Sequence, residues 1–367
     1  MAVKVAMIGV GAISGIYLKN ITETFHELEL IGVCDLVRER AEKAQAEYHV
    51  PKIYDTMHDA FADPEVEVVL NLTRPSEHFE VTKAALLSGK HVYSEKPLGA
   101  DLEEGKALVK LAQEKGLYLG GAPDTFLGAG LQTCRRLLDD GVIGDVVGAA
   151  AFMICRGHES WHPDPEFYYK RGGGPMLDMG PYYVTALVNL VGGVKAVTGV
   201  TKSAFSTRLV TSAPKRGQVV TVDVPTYVTG TMEFDNGAVG TIFTTFDVYY
   251  PSQARLEVYG TQGTLFVPDP NYFGGPISLY TPEDKTVKEI PLLYDYKENS
   301  RALGLADMAN AIANDRAARA DYRQTLHVLE ILIAFEKSSD KMGRVELESK
   351  YARPVPMKRG GMPGIID

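Results

Sequence analysis

The first 35 residues constrain the fold more than any other stretch. An apolar run, Val3–Ile8, meets Gly9-Val10-Gly11-Ala12-Ile13-Ser14. A helix-compatible stretch follows, then a second apolar run, Leu28–Cys34, closed by Asp35. That is strand, glycine turn, helix, strand, acid. Gly9 permits the tight turn, and Gly11 leaves bare backbone for a pyrophosphate to approach. The helix N-terminus, beginning around Ala12 and Ile13, offers free N–H groups and a positive dipole end to that phosphate. Asp35 lies 21 residues beyond Ser14, near the spacing of an acid that accepts ribose hydroxyls. Ser14 replaces the third glycine of the fingerprint and is small enough for close helix–strand packing. The pattern predicts a dinucleotide site built from Gly9, Gly11, Ala12, Ile13 and Asp35. Asp35 would repel a 2′-phosphate, so the expected cofactor is NAD. Arg38, three residues on, keeps NADP possible.

The alternation continues through the first third of the chain. A charged helix is expected over 37–48, a buried strand over 66–72, and a helix capped by Ser76 running to 87. A strand at 91–94, a helix over 101–115 opened by Asp101 and Glu104, and a strand at 117–120 follow. This order implies α/β architecture: a parallel, doubly wound Rossmann sheet over residues 1–123. Ligands of such sheets lie beyond the carboxyl ends of the strands. The rule adds Thr73 and His78, in the stretch after the strand at 66–72, and Glu95-Lys96-Pro97 to the cofactor-side candidates. From residue 124 to 367 the texture changes to an α+β domain. A helix at 130–139 precedes strand candidates at 144–155, 194–205, 226–234, 238–246 and 254–259. Turns at Asp235-Asn236-Gly237 and Thr261-Gln262-Gly263 suggest an open, mostly antiparallel meander. Two helices, 302–314 and 322–338, come late.

Composition narrows the partners. A net charge of −9 speaks against nucleic acid and anionic membranes. No apolar run approaches the ~20 residues of a membrane span. The chain enters its first strand almost at once, so no signal peptide is expected. Cys34, Cys134 and Cys155 show no zinc or redox spacing. A cytoplasmic protein with reduced thiols is expected.

Three constellations carry chemistry. In Tyr93-Ser94-Glu95-Lys96-Pro97, a charged pair follows a buried strand, and Lys96 at the sheet's carboxyl edge can stabilise a developing alkoxide. In Gly172-Gly173-Gly174-Pro175-Met176-Leu177-Asp178-Met179-Gly180-Pro181-Tyr182, a glycine turn leads into an apolar helix. Asp178 and Tyr182, four apart, are expected on one helical face as a proton-handling pair. The loop 156–169 holds Trp161, the only tryptophan, with His158, Glu159 and His162. His158, Glu159 and His162 superficially resemble metal ligands. Pro163 and Pro165 work against the helix such a set needs, so no metal is expected. Trp161 and His162 better suit stacking on, and hydrogen bonding to, a sugar.

Taken together, GVGAIS at 9–14, NLTRPSEH at 71–78, EKP at 95–97, GGGPMLDMG at 172–180 and the late HVLEILIAFEKS resemble the glucose–fructose oxidoreductase / inositol dehydrogenase (Gfo/Idh/MocA) family. The resemblance implies NAD(P)-dependent hydride transfer at a secondary alcohol of a sugar, glycoside or polyol. Lys96 matches the family's EKP lysine, Asp178 its helix aspartate, and His78 the histidine near the cofactor. Where the family places a histidine in Asp-x-Gly-x-His, this chain has Tyr182. The identity of the base therefore stays open between Tyr182, Lys96, a bound water and a histidine from the loop at His158 to His162. Lys96, Trp161, His162, Asp178 and Tyr182 are the expected substrate contacts. The resemblance also implies a homo-oligomer, dimer or tetramer, joined through the second domain's sheet. A redox-neutral NAD-assisted glycosidase or lyase, and a non-catalytic NAD(P)- and sugar-binding regulator, remain as alternative readings.

Overall fold

A computed structural model describes residues 2–249, 255–360 and 364–366. The chain divides into two compact units. One comprises Met1–Gly128, Tyr294–Leu326 and Met357–Asp367; the other comprises Ala129–Leu293 and His327–Pro356. A single cut after residue 123 was expected, whereas this division returns two later segments to the first unit.

The first unit holds strands β1 (Val3–Ile8), β2 (Leu28–Cys34), β3 (Lys52–Ile53), β4 (Val68–Asn71), β5 (His91–Ser94) and β6 (Leu119–Gly121). Helices α1 (Ser14–Glu23), α2 (Arg38–Tyr48), α3 (Met57–Ala62), α4 (His78–Leu87) and α5 (Leu102–Lys115) connect them. The six strands run in the order β3-β2-β1-β4-β5-β6, all parallel. This is the doubly wound dinucleotide-binding order, with its reversal between β1 and β4. Both faces are covered, so Val5, Met7, Val33, Val68, Val69 and Val92 are fully buried. Asp101 caps α5 by accepting from Glu104 N at 2.9 Å, and Gly116 ends it at φ 65°. Ser76 does not cap α4. The turn over residues 75–77 delays the helix to His78, and Glu77 stands at the N-cap without a side-chain bond.

The second unit opens with α6 (Ala129–Asp139), β7 (Val146–Ile154), α7 (Gly174–Asp178) and α8 (Gly180–Leu190). Strands β8 (Val194–Lys202), β9 (Thr207–Leu209), β10 (Val219–Thr221), β11 (Tyr227–Phe234), β12 (Val239–Thr245) and β13 (Arg255–Gly260) follow. Next come β14 (Thr264–Val267), β15 (Ile277–Tyr280) and β16 (Val287–Ile290). Helix α9 (Leu303–Ala313) belongs to the first unit, α10 (Tyr322–Lys341) begins there and continues into the second, and β17 (Val345–Glu346) closes the second unit's sheet. The nine-stranded sheet has the order β16-β15-β14-β13-β7-β12-β11-β8-β17. It is mostly antiparallel but not a plain meander. β7, early in sequence, inserts between β12 and β13 and pairs parallel with β12. Of the strand expected at 254–259, Ala254 lies outside the described residues. One sheet face is packed by helix: an added Cβ on Gly199 or Gly230 would strike Phe335 of α10 at 2.7 or 2.8 Å. The pairings Tyr227–Lys202, Phe243–Phe152 and Arg255–Phe152 place Tyr227, Phe243 and Phe152 on the opposite face. Tyr259 alternates onto that face too, and all four side chains are half-buried.

Candidate active site

The glycine turn is built as its sequence demands. Gly9 has φ 94°, and a Cβ there would lie 2.8 Å from the Leu72 carbonyl, so no side chain fits. At Gly11 an added Cβ would meet nothing within 4 Å. The backbone there is open to a close-approaching group, as a pyrophosphate requires. Helix α1 starts at Ser14 with no side-chain cap, leaving its first N–H groups for an anion. Asp35 bridges the turn to β2: Oδ2 accepts from Val10 N at 2.6 Å, and Oδ1 accepts from Val37 N at 2.8 Å. Its side chain is 8% exposed, and Arg40 lies 3.7 Å from Oδ1. Arg38, expected to serve a 2′-phosphate, instead pairs with Asp55 and with Glu42. Arg40 is the cation next to Asp35. The open space at Gly11 and the carboxylate at the end of β2 fit an NAD site.

Next to this turn, two loops beyond β4 and β5 are tied together by His78. Its ring faces Pro97 O through Nδ1 at 2.8 Å and Thr73 O through Nε2 at 3.0 Å. Burial pushes the imidazole's pKa down. Thr73 is held in turn by Asn71 Oδ1, which accepts from Thr73 Oγ1 at 2.7 Å. The Lys96–Pro97 bond is cis. Glu95 is 8% exposed; its Oε1 accepts from Tyr17 OH at 2.7 Å and its Oε2 from Lys96 N at 3.1 Å. So Thr73, His78, Glu95 and Pro97 brace the edge on which Lys96 stands. Asp124, 1% exposed, accepts from Gly304 N at 3.1 Å. Burial raises its carboxyl pKa to about 6, with Glu95 adding to the shift.

In the second unit, Asp178 closes α7 and Tyr182 lies in α8, 7% exposed. The expected single helical face is interrupted: Met179 separates the two helices, and Tyr182 N donates to Met179 O. Asp178 instead meets a residue from the preceding loop. Its Oδ2 is 3.2 Å from His158 Nε2, and the two side chains are 12% and 15% exposed. The His158 ring packs on Tyr168 (4.2 Å between centroids), Phe246 (4.7 Å) and Trp161 (5.2 Å). Trp161 is 61% exposed, while His162 packs beneath it at 5.3 Å. His162 Nδ1 accepts from Asp164 N at 3.0 Å, and burial lowers its pKa. Among the described residues no three His, Cys, Asp or Glu side chains gather as metal ligands.

Arg208 of β9 anchors this loop. It is buried, pairs with Glu159 at 2.8 Å and Asp247 at 3.5 Å, donates to Phe246 O, and lies over the Tyr169 ring. Thr211 N and Ser212 N both donate to Glu159 O at 2.9 Å. Sequence reading missed Arg208, because no local pattern links residue 208 to a loop some fifty residues earlier. It kept a histidine of the loop His158 to His162 only as an alternative proton acceptor should Tyr182 not serve.

A doubly wound sheet with this glycine turn and Asp35 defines a dinucleotide-binding protein. The description "Oxidoreductase family, NAD-binding Rossmann fold" matches residues 3–121, and "GFO/IDH/MocA C-terminal domain" matches residues 131–266. The chain belongs to the GFO/IDH/MocA oxidoreductase family and carries its NAD-binding domain. It is 27% identical over 267 residues to scyllo-inositol 2-dehydrogenase (NAD(+)) of Bacillus subtilis (strain 168), covering 72% of this chain and 73% of that one. It is 24% identical over 358 residues to D-glucoside 3-dehydrogenase of Escherichia coli (strain K12), covering 94% and 97%. A solved levoglucosan dehydrogenase in complex with NADH and L-sorbose shares the fold: TM-score 0.82, 20% identity, 95% of this chain and 99% of that one.

Proposed function

We propose that this protein is an NAD-dependent dehydrogenase acting on a secondary alcohol of a sugar, glycoside or polyol, in the cytoplasm and as a homo-oligomer. The observation that carries the reading is the site built by Gly9, Gly11 and Asp35 in a chain whose relatives are named as inositol and glucoside dehydrogenases. NAD, when bound, would supply the two-electron oxidant. The glycine turn and the α1 N-terminus would hold its pyrophosphate, and Asp35 its ribose. Lys96 places an ammonium where the alcohol oxygen gains negative charge, lowering the barrier by preorganised electrostatics. Asp178 and Tyr182 are the candidates the sequence offers for proton handling, and Trp161 and His162 those for the sugar's apolar face and hydroxyls. The half-buried aromatic face bearing Tyr227, Phe243, Phe152 and Tyr259 supports self-association. Sedimentation showing a lone monomer at micromolar concentration would contradict that part.

The test is a screen of sugars, glycosides and polyols with NAD, following absorbance of reduced nicotinamide. Substrate-dependent NADH release supports the dehydrogenase. Substrate conversion without net NADH points to the redox-neutral variant, and tight NADH binding with no conversion points to a regulator.

A further inference from the structure

We propose that His158 is the proton acceptor of this dehydrogenase, with Asp178 as the carboxylate that orients it. The proposal rests on the dehydrogenase reading. Asp178 Oδ2 stands 3.2 Å from Nε2, so the neutral ring carries its proton on Nε2 and its lone pair on Nδ1. Among the described residues no hydrogen bond is made at Nδ1. Carboxylate, imidazole and substrate hydroxyl would then stand in the order that fixes a histidine's tautomer and stabilises the imidazolium. The loop adds a second, independent sign of a ligand. Trp161, 61% exposed, presents its indole with its centroid 5.2 Å from the His158 ring. A large aromatic left that open, beside a packed imidazole, suits a stacking sugar.

His158 also suits the chemistry better than Tyr182. A neutral imidazole has a ring lone pair ready to accept a proton, whereas a phenol must first lose its own. Tyr182 is 7% exposed within α8. Arg208 and Glu159 supply the rigidity a base requires, because their buried pair ties the residue next to His158 to β9. His158 thus takes over, from a loop, the part of the histidine that Tyr182 displaces. In the step, the substrate O–H bond breaks and its proton passes to Nδ1. The carbinol C–H bond gives its hydride to the oxidised nicotinamide, leaving a ketone, NADH and an imidazolium paired with Asp178. The titratable and charged groups around the ring are Asp178 from α7, Tyr168 from the turn ahead of α7 and His162 from its own loop; Cys155 after β7, Tyr169 and Arg208 of β9 act on Asp178 or on the neighbouring Glu159.

The experiment compares wild type with His158→Gln and His158→Ala on an alcohol found to reduce NAD. His158→Gln should lower kcat by about a hundredfold or more and abolish the acidic limb of its pH profile. NADH affinity by fluorescence should stay within about twofold. Added imidazole should restore His158→Ala turnover by about tenfold or more, which a structural role would not produce. The second measurement needs no cofactor and no variant: the nitrogen NMR shifts of His158 in the apo protein should report the Nε2–H tautomer. Near-normal kcat with an unchanged profile in His158→Gln overturns the proposal, as does absence of imidazole rescue or an Nδ1–H tautomer. No wild-type turnover of any alcohol overturns the dehydrogenase reading and this proposal together. Normal wild-type turnover with an active His158→Gln overturns this proposal alone.

Discussion

Replacing Asp35 with Asn changes shape little and tests what the carboxylate does. Two backbone N–H groups depend on it, Val10 N at 2.6 Å and Val37 N at 2.8 Å. An amide has one acceptor oxygen, so one of the two donors must then face an NH2 group. Val10 is 8% exposed and Val37 is 42% exposed. The amide oxygen should turn to Val10, because water can serve Val37 but not the buried donor. The loss is then one charge-assisted bond, partly replaced by water, at the lower end of about 1.5–3 kcal/mol. About 1.5 kcal/mol corresponds to roughly tenfold in local opening. Asp35→Ala removes both acceptors and strands Val10 N, so on the order of 3 kcal/mol and about a hundredfold are expected. Hydrogen exchange by mass spectrometry over residues 9–14 reads the opening directly. NADH titration should show affinity falling in the same order, Asn less than Ala. The ratio of NAD to NADP affinity at one ionic strength should fall as well, since the charge that repels a 2′-phosphate is gone. If Asp35→Ala leaves exchange over 9–14 unchanged and binds NADH within about twofold of wild type, Asp35 neither braces the turn nor meets the ribose.

Three further outcomes are expected. Lys96→Met keeps bulk and removes charge; turnover should fall on the order of a thousandfold with NADH affinity nearly unchanged, and near-normal kcat would remove Lys96 from the chemistry. Asp124→Asn should flatten the stability–pH curve. The folded pKa of Asp124 is raised to about 6 by burial, so the native state binds its proton more tightly than the unfolded chain. Stability from this group is full below about pH 4 and is lost as pH rises toward 6. The asparagine should therefore be more stable than wild type near pH 7, by up to roughly 3 kcal/mol, and equal to it near pH 4; urea melts at the two pH values check this. Trp161→Ala should raise KM about tenfold with kcat little changed, and an unaltered KM would show that sugar does not stack there.

The alternation of strand and helix, the glycine turn and the acid after β2 were legible because each is a local demand. A positive φ at Gly9, an apolar run buried on both faces, and a cap at Asp101 are dictated by neighbouring residues. The second unit's strands were legible for the same reason. The pairing order was not. β7 lies between β12 and β13, partners nearly a hundred residues away, and nothing in a strand's own sequence names its neighbours. The same holds for the site. Asp178 was read with Tyr182 through helical spacing, yet the helix breaks at Met179 and Asp178 meets His158, twenty residues earlier in a loop. Arg208, which holds that loop from β9, was invisible for the same reason. Local sequence sets which residue types can form each element, but which side chains face one another across it depends on packing between segments distant in the chain.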